Sequence, residues 1–365
     1  MSEAPLVVIG AGGTGGHMFP ASAFAAEMKN RGWRVGLLTD DRGRKYTDGF
    51  AADWIEKVKA ATFASKRPDK LIGAGLKIFA GIQESRAKLK QEKATLVAGF
   101  GGYPAFPALA AAGRSGIPII IHEQNAVLGR VNRFFAKNAR IVACGFDRLD
   151  RLPPECESRK RVVGNPVRAP ILAVGDMPFP DAGPNGEISI LVIGGSQGAR
   201  LFGDVIPKAI VALPEDIRSR VNVVQQVREE QIEDVRALYH AHGVRAELSP
   251  FFSDMPERLA NTHYVISRSG ASSVTELSVV GRPSLLIPLA IAMDDHQTGN
   301  AETLRDSGAA DVVSERSFTP ETVTPLLAKS LSDHAELKRK GQLARDVAKL
   351  SAAKDLADLA ESVVR

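Results

Sequence analysis

Leu6-Val-Val-Ile-Gly10-Ala-Gly-Gly-Thr-Gly-Gly-His17 is a bare apolar strand that runs into glycines and then into a helical stretch. Ile190-Leu-Val-Ile-Gly194-Gly-Ser196-Gln-Gly198 repeats the design in the second half of the chain. Glycines let the backbone approach a ligand closely, and the helix that follows aims free N–H groups at it. Such a unit is an anion site. Two of them predict an α/β protein built from two Rossmann-like, doubly wound parallel-sheet domains that face each other across a cleft. A cleft of that kind suits two phosphate-bearing ligands, hence a transferase better than a hydrolase.

The remaining periodicity supports this. Leu6–Ile9, Val35–Leu38, Leu96–Ala98, Ile117–Ile121 and Ile141–Ala143 read as short buried strands. Helical stretches such as Pro20–Asn30 and Ala105–Ala112 lie between them, and alternation of this kind argues a parallel sheet covered on both faces. A Pro/Gly-rich stretch from Pro166 to Gly186 marks a boundary. Ile188–Ile193, Val221–Gln225, Tyr264–Ser267 and Ser284–Pro288 form a second alternating set. The expected division is a domain at 1–164, a second at 165–345, and a last helix at 346–365 that packs back on the first. Leu356, Leu359, Ala360 and Val363 would carry its apolar stripe.

At 365 residues the chain has room for about two cores. Its composition, 44% hydrophobic and 24% charged, excludes a disordered or low-complexity protein. Cys144 and Cys156 make neither a disulfide framework nor a metal spacing and are expected as free thiols in a reducing compartment. No targeting segment is expected. The uncharged stretch Thr95–Gly113 is too broken by glycine and proline to span a membrane. The net charge of +5 is local. Lys57 to Lys93 holds ten Lys/Arg against three Asp/Glu, so the rest of the chain is net negative. A local anionic surface is implied, with no affinity for nucleic acid. Phe63, Leu71, Ile72, Leu76, Ile78, Phe79 and Ile82 are interleaved there. They suit either a sheet-covering helix with a charged face or a segment that docks on anionic lipid.

The motifs carry several chemistries. Gly10-Ala-Gly12-Gly-Thr-Gly15, with Asp40 and Asp41 after a second strand, matches a dinucleotide fingerprint and keeps an NAD(P)-dependent oxidoreductase open. His17 stands at the loop mouth, where it would suit a reacting hydroxyl better than a pyrophosphate. Gly194-Gly-Ser196-Gln-Gly198 also matches a hydrolase elbow, with His263 or His296 as triad partners. Ser196 as a donor to a diphosphate explains both loops together. Ser267-Arg-Ser-Gly270-Ala-Ser-Ser-Val-Thr-Glu276 reads as another turn into a helix start, and Glu276 suits ribose hydroxyls. Asp294-Asp-His296-Gln297-Thr-Gly-Asn300 suits a sugar. Gly99-Phe-Gly101-Gly102-Tyr103 and His122-Glu-Gln-Asn125 each follow a strand and widen the first site. No metal-ligand spacing occurs, so no metal and no cofactor are expected.

Seven stretches in order, Gly12–Pro20, Gly99–Pro107, His122–Asn132, Gly164–Arg168, Gly194–Ala199, Arg268–Leu277 and Asp294–Ala301, resemble one family. It is the UDP-N-acetylglucosamine transferase family of peptidoglycan synthesis, which converts lipid I to lipid II. The resemblance implies a metal-independent, inverting GT-B glycosyltransferase. It puts UDP-GlcNAc on Thr14, Gly15, Gly16, Asn125, Arg168, Ser196, Phe252, Ala271, Ser272, Ser273, Val274, Thr275, Glu276 and Gln297. It puts the lipid-linked diphosphate on Gly12, Gly13, Gly101, Gly102 and Tyr103. His17 is the expected base, because an imidazole with an ordinary pKa near 6.5 suits that role at neutral pH. The resemblance further implies a peripheral place on the cytoplasmic face of the bacterial inner membrane, beside proteins of the cell-division or elongation complexes. Asp40-Asp41 departs from the family pattern, which leads one to expect a less acidic strand end.

Overall fold

The computed structural model describes residues 4–61, 68–182, 186–195, 199–290 and 292–364. It divides into two compact units, Met1–Arg168 with Lys349–Arg365, and Ala169–Ala348.

In the first unit the strands are β1 (Leu6–Gly10), β2 (Arg34–Thr39), β3 (Trp54–Lys57), β4 (Leu96–Gly99), β5 (Ile119–Glu123), β6 (Ile141–Cys144) and β7 (Lys160–Val162). They form one sheet in the order β3-β2-β1-β4-β5-β6-β7. All neighbours are parallel, with Val7 opposite both Val35 and Leu96. The second unit repeats the plan with β8 (Ile188–Ile193), β9 (Val221–Gln226), β10 (Arg245–Ser249), β11 (Tyr264–Ser267), β12 (Ser284–Leu286) and β13 (Ala310–Val312), in the order β10-β9-β8-β11-β12-β13. Parallel strands need helical crossovers, which cover both faces. The central strands are therefore largely buried and carry apolar runs such as Leu6–Ile9 and Ile190–Ile193.

Four strands went unseen in the periodicity: β3, β7, β10 and β13. All four are sheet edges. The strand expected at Ser284–Pro288 ends at Leu286.

Helices α1 (Gly15–Asn30), α2 (Pro68–Gln91), α3 (Ala105–Ser115), α4 (Arg130–Phe135) and α5 (Ala169–Gly175) follow the strands in turn. α1 begins five residues before the expected Pro20, so His17 lies in its first turn rather than beyond a loop. Glycine and proline are poor helix formers and mask that start. The helix Ala352–Ser362 belongs to the first unit. Its Leu356, Ala357 and Ala360 are buried with Phe24 and Met28 of α1. Full burial of a leucine is worth about 1.5–3 kcal/mol. Arg31 adds ion pairs to Asp358 at 2.6 Å and Glu361 at 3.4 Å. Such half-exposed pairs contribute roughly 0–1 kcal/mol each, so the apolar stripe decides where the chain end docks.

α2 serves two surroundings. Ile82 and Leu89 join the core, and Ile78 packs against it. Ile72, Leu76 and Phe79, spaced four and three residues apart, are 66%, 66% and 59% exposed. Among the described residues no helix is long and apolar enough to cross a membrane.

Candidate active site

In each sheet the strand order reverses beside the first strand, and ligands of open α/β sheets bind in the crevice at the carboxyl ends there. In the first unit that crevice lies between β1 and β4, where Gly10 pairs with Gly99. The loops Gly12–Thr14 and Phe100–Tyr103 therefore emerge side by side. A Cβ on Gly102 would sit 2.5 Å from the Gly12 carbonyl oxygen, so only glycine permits this approach. Gly13 holds φ 86°, the left-handed region that turns the chain into α1. Thr14 is the extended residue before α1, and its side chain caps no amide. The helix start thus keeps donors for an anion.

His17 is held by this loop. Its Nδ1 lies 3.0 Å from the Gly12 carbonyl oxygen. A carbonyl only accepts, so Nδ1 carries a proton and donates it. Thr14 Oγ1 stands 3.5 Å from Nδ1. The other edge of the ring lies over Gly101, whose Cβ position is 3.3 Å from Nε2 and 3.6 Å from Asn132 Nδ2. An imidazole oriented through Nδ1, with Nε2 at a glycine crevice, has the geometry a general base needs.

β5 ends in His122-Glu123. The buried His122 donates through Nε2 to the Gly164 carbonyl oxygen at 2.9 Å and accepts through Nδ1 from Gln124 Nε2 at 3.1 Å. Burial pushes its pKa down to about 4, against the smaller opposing pull of that carbonyl. His122 is therefore a neutral strut that ties β5 to the segment leading to Arg168. The Arg168 guanidinium lies 4.2 Å over the ring of Phe19 in α1.

In the second unit Ile193 pairs with Ser267, so the loop after β8 and the turn after β11 share the corresponding crevice. Ser196 lies outside the described residues, as does Phe63 of the basic segment. The helix Ala271–Val280 starts after an extended Gly270 with no side-chain cap. Ala271 and Val274 are buried and can offer a ligand only backbone. Thr275 Oγ1 donates back to the Ala271 carbonyl oxygen at 2.8 Å. The Ser272 hydroxyl is buried with no partner among the described residues. Ser273 and Glu276 are half-buried on the same helix. Gln297 opens the helix His296–Asp306. Its Oε1 accepts from Leu289 N at 3.0 Å, which turns its Nε2 donors the other way. Phe252 is buried under the Arg258 guanidinium at 4.2 Å, while Phe251 beside it is exposed.

Two rival readings each lose a residue. Asp40 Oδ1 accepts from Gly13 N at 3.0 Å and Gly43 N at 2.8 Å, so the carboxylate is an internal brace rather than a ribose ligand. His263 precedes the first residue of β11, at the sheet edge opposite the Gly194 loop. It accepts from Ser189 N at 2.9 Å and lies 3.1 Å from the Asp181 carbonyl oxygen. Its ring is engaged at that end of the sheet, away from Gly194. Among the described residues no three His, Cys, Asp or Glu side chains gather as a metal would require.

The glycosyltransferase family 28 N-terminal domain matches residues 7–144, and the glycosyltransferase family 28 C-terminal domain matches residues 189–360. The chain belongs to glycosyltransferase family 28. Among its relatives is the UDP-N-acetylglucosamine–N-acetylmuramyl-(pentapeptide) pyrophosphoryl-undecaprenol N-acetylglucosamine transferase of Caulobacter vibrioides (strain NA1000 / CB15N), 48% identical over 99% of both chains. The same-named protein of Maricaulis maris (strain MCS10) is 47% identical over 98% of this chain and 97% of its own. The crystal structure of Acinetobacter baumannii MurG is 30% identical, with a TM-score of 0.80 over 98% of this chain and 99% of that one.

For a family 28 protein, three residues here passed unassigned in the sequence. Glu123 and Asn132 stand inside the quoted His122–Asn132 stretch, and their signal was a carboxylate at a strand end with two asparagines near it. Gln226, the last residue of β9, accepts from Gly194 N at 3.1 Å. Nothing in the sequence marks it except its place at the end of a second strand.

Proposed function

We infer that this chain transfers N-acetylglucosamine from UDP-GlcNAc to the C4 hydroxyl of the N-acetylmuramyl sugar in undecaprenyl-pyrophosphoryl-MurNAc-pentapeptide, converting lipid I to lipid II with inversion. The observation that carries the reading is His17, fixed through Nδ1 on a glycine loop at the switch point of the first sheet, in a chain that aligns end to end with GlcNAc transferases.

The acceptor C4 oxygen attacks the anomeric carbon from the face opposite UDP. Nε2 of His17 takes its proton, and the bond from C1 to the diphosphate oxygen breaks. The electron pair leaves with UDP. Charge on the departing diphosphate is met by the amides at the start of Ala271–Val280, by the hydroxyls of Ser196 and Ser272, and by Arg168. Glu276 holds the ribose hydroxyls and the backbone at Phe252 faces uracil. Ser273, Val274 and Thr275 line the nucleotide. Gln297 and Asn125 touch the GlcNAc, with Thr14, Gly15 and Gly16 near the reacting centre. Gly12, Gly13, Gly101, Gly102 and Tyr103 cradle the acceptor diphosphate. The exposed Ile72, Leu76 and Phe79, on a helix whose segment carries the chain's excess positive charge, dock on an anionic lipid surface at the cytoplasmic face. Each nearby Lys or Arg adds about 1 kcal/mol.

UDP release with a soluble lipid I analogue tests the activity; release that ignores the acceptor would sink it. By calorimetry Glu276→Ala binds UDP-GlcNAc more weakly, and an unchanged affinity removes the ribose role. Sedimentation with liposomes tests the surface: binding that neither anionic lipid nor salt affects defeats the electrostatic docking.

A further inference from the structure

Three helices cover one face of the first sheet side by side. α2 gives Ile82 and Leu89 to the core there, α3 gives Leu109 and α4 gives Phe135. α3 packs on α2 and touches α4. On this layer stands a group of aromatic rings that the chemistry above does not use. Phe106 in the first turn of α3 lies 5.3 Å from Phe134 and 5.1 Å from Phe135, centroid to centroid, and Phe134 lies 5.0 Å from Phe135. Phe135 is buried and Phe106 half-buried, whereas Phe134 is 64% exposed. A lone exposed phenylalanine needs no explanation, but one packed edge-on and tilted against two anchored rings is a fixed apolar shelf.

The shelf adjoins the acceptor crevice. Phe106 N donates to the Tyr103 carbonyl oxygen at 3.2 Å, so Phe106 stands one turn from the loop that borders the crevice. α4 is pinned to the same crevice. Gly129 N and Asn132 Nδ2 each donate to Glu123 Oε2 at 2.9 Å, and Asn132 Nδ2 lies 3.6 Å from the Cβ position of Gly101. α4 starts at the carboxyl end of β5 and runs back toward β6. Arg130 and Phe134, four residues apart, therefore share one side of it, with Arg130 a turn nearer the carboxyl edge. Among the described residues neither Arg130 nor Arg133 has an ion pair or a side-chain hydrogen bond. The wall thus changes character in order: glycine amides, two uncommitted guanidinium groups, aromatic rings. On α2 of the same layer the exposed Ile72, Leu76 and Phe79 continue it. A diphosphate ester of an unsaturated hydrocarbon chain matches that order, because guanidinium groups take phosphate oxygens and ring faces take the chain.

We propose that Phe134 and Phe106 form the subsite for the first isoprene units of the acceptor's lipid, entered past Arg130 and Arg133. This rests on the placement of the acceptor diphosphate at the first glycine loop made above. Two soluble acceptors test it without vesicles or detergent, MurNAc-pentapeptide diphosphate esterified with a two-isoprene chain or with methyl. Wild type should show the lower KM for the prenyl ester. Phe134→Ser should shrink that preference about tenfold, the loss expected for one ring packed on an apolar chain. Phe134→Leu, which keeps apolar area, should retain most of it. Arg130→Ala with Arg133→Ala should raise the KM of both esters alike, about tenfold and less at high salt.

A preference unchanged in Phe134→Ser overturns the proposal. If liposome sedimentation weakens in that variant while the preference stays, the ring serves the bilayer and not the acceptor. Equal losses for the two esters in Phe134→Ser assign it a structural role and equally overturn the subsite. A normal KM in the arginine variant does the same, since the chain would then enter elsewhere. UDP release with both esters but no preference in wild type sinks the subsite alone; release with neither sinks the activity and the subsite together.

Discussion

The two glycine loops look alike until their braces are compared. Each loop gives one amide to a side chain from the end of the neighbouring second strand. In the first unit the brace is Asp40, directly after β2, which takes Gly13 N and Gly43 N. In the second it is Gln226, the last residue of β9, which takes Gly194 N and returns its own Nε2 to the Pro250 carbonyl oxygen at 3.1 Å. One brace is an anion and the other is neutral. Helix starts and loop amides favour negative charge in either unit. The braces do not: a diphosphate at the second loop meets no fixed charge from this position, whereas one at the first loop meets a carboxylate. Arg42 stands 3.5 Å from the other oxygen of Asp40, with its side chain 62% exposed. A glycine loop is thus only half of an anion site; the side chain that braces it sets the rest of the field.

The largest expected effect lies with the feature the second loop has no counterpart for, the imidazole. General-base catalysis is typically worth about 10²–10⁴ in rate. His17→Ala should lose two decades or more of turnover with UDP affinity unchanged. Turnover near wild type would take the base out of the first loop and make the two loops functionally alike.

Both units also bury a neutral histidine, and these differ in depth. His122 is fully enclosed, with its pKa pushed down to about 4 by burial. His263 is lowered by the same cause in a half-enclosed setting. The unfolded imidazole titrates near 6.5, so between about 6.5 and 4 the unfolded chain binds the extra proton. The stabilisation from His122 is present above pH 6.5 and is lost as pH falls toward 4, up to about 3 kcal/mol. Urea midpoints at pH 7 and pH 4.5 should therefore fall less in His122→Gln than in wild type. An equal fall in both would assign the acid sensitivity elsewhere.

Legibility in the sequence followed burial. β1, β8 and β11 are buried on both faces and stand out as apolar runs, and the glycine loops follow from them. β7 and β10 are edge strands with charged residues, most of them exposed (Lys160-Arg161 and Arg245-Ala-Glu247), so no run or alternation marked them. At the site, glycines and His17 were readable because their chemistry is local. The braces were not. Asp40 lies 27 residues from Gly13 and Gln226 lies 32 from Gly194, and only the strand pairing brings them together. The acidity of Asp40-Asp41 did register as a departure from the family pattern, and the structure gives the departure a position. Asp40 braces the loop, and Asp41 pairs with Lys57 at 2.6 Å on the surface.

Charging the neutral brace tests what the comparison predicts for the donor. Gln226→Glu keeps an acceptor for Gly194 N, loses the bond to Pro250, and puts a carboxylate 7% exposed beside the second loop. At an effective dielectric near 20, one charge several ångströms from a phosphate costs about 1–2 kcal/mol after partial screening. UDP-GlcNAc affinity should drop about tenfold, more at low salt, with acceptor KM unmoved. An affinity that holds would mean the diphosphate sits away from Gly194.

The converse change is smaller, because Asp40 has the solvent-exposed Arg42 beside it. Asp40→Asn still accepts from Gly13 N and Gly43 N through Oδ1, so the loop keeps its shape and only the charge goes. Exposed ion pairs are worth roughly 0–1 kcal/mol. The KM for a lipid I analogue should therefore fall about two- to fivefold, with UDP-GlcNAc KM flat. A rise instead would show that Asp40 serves the acceptor indirectly, by holding the Arg42 guanidinium over Gly13. The first loop would then owe its anion binding to a carboxylate-arginine pair, and the second to amides and hydroxyls without one.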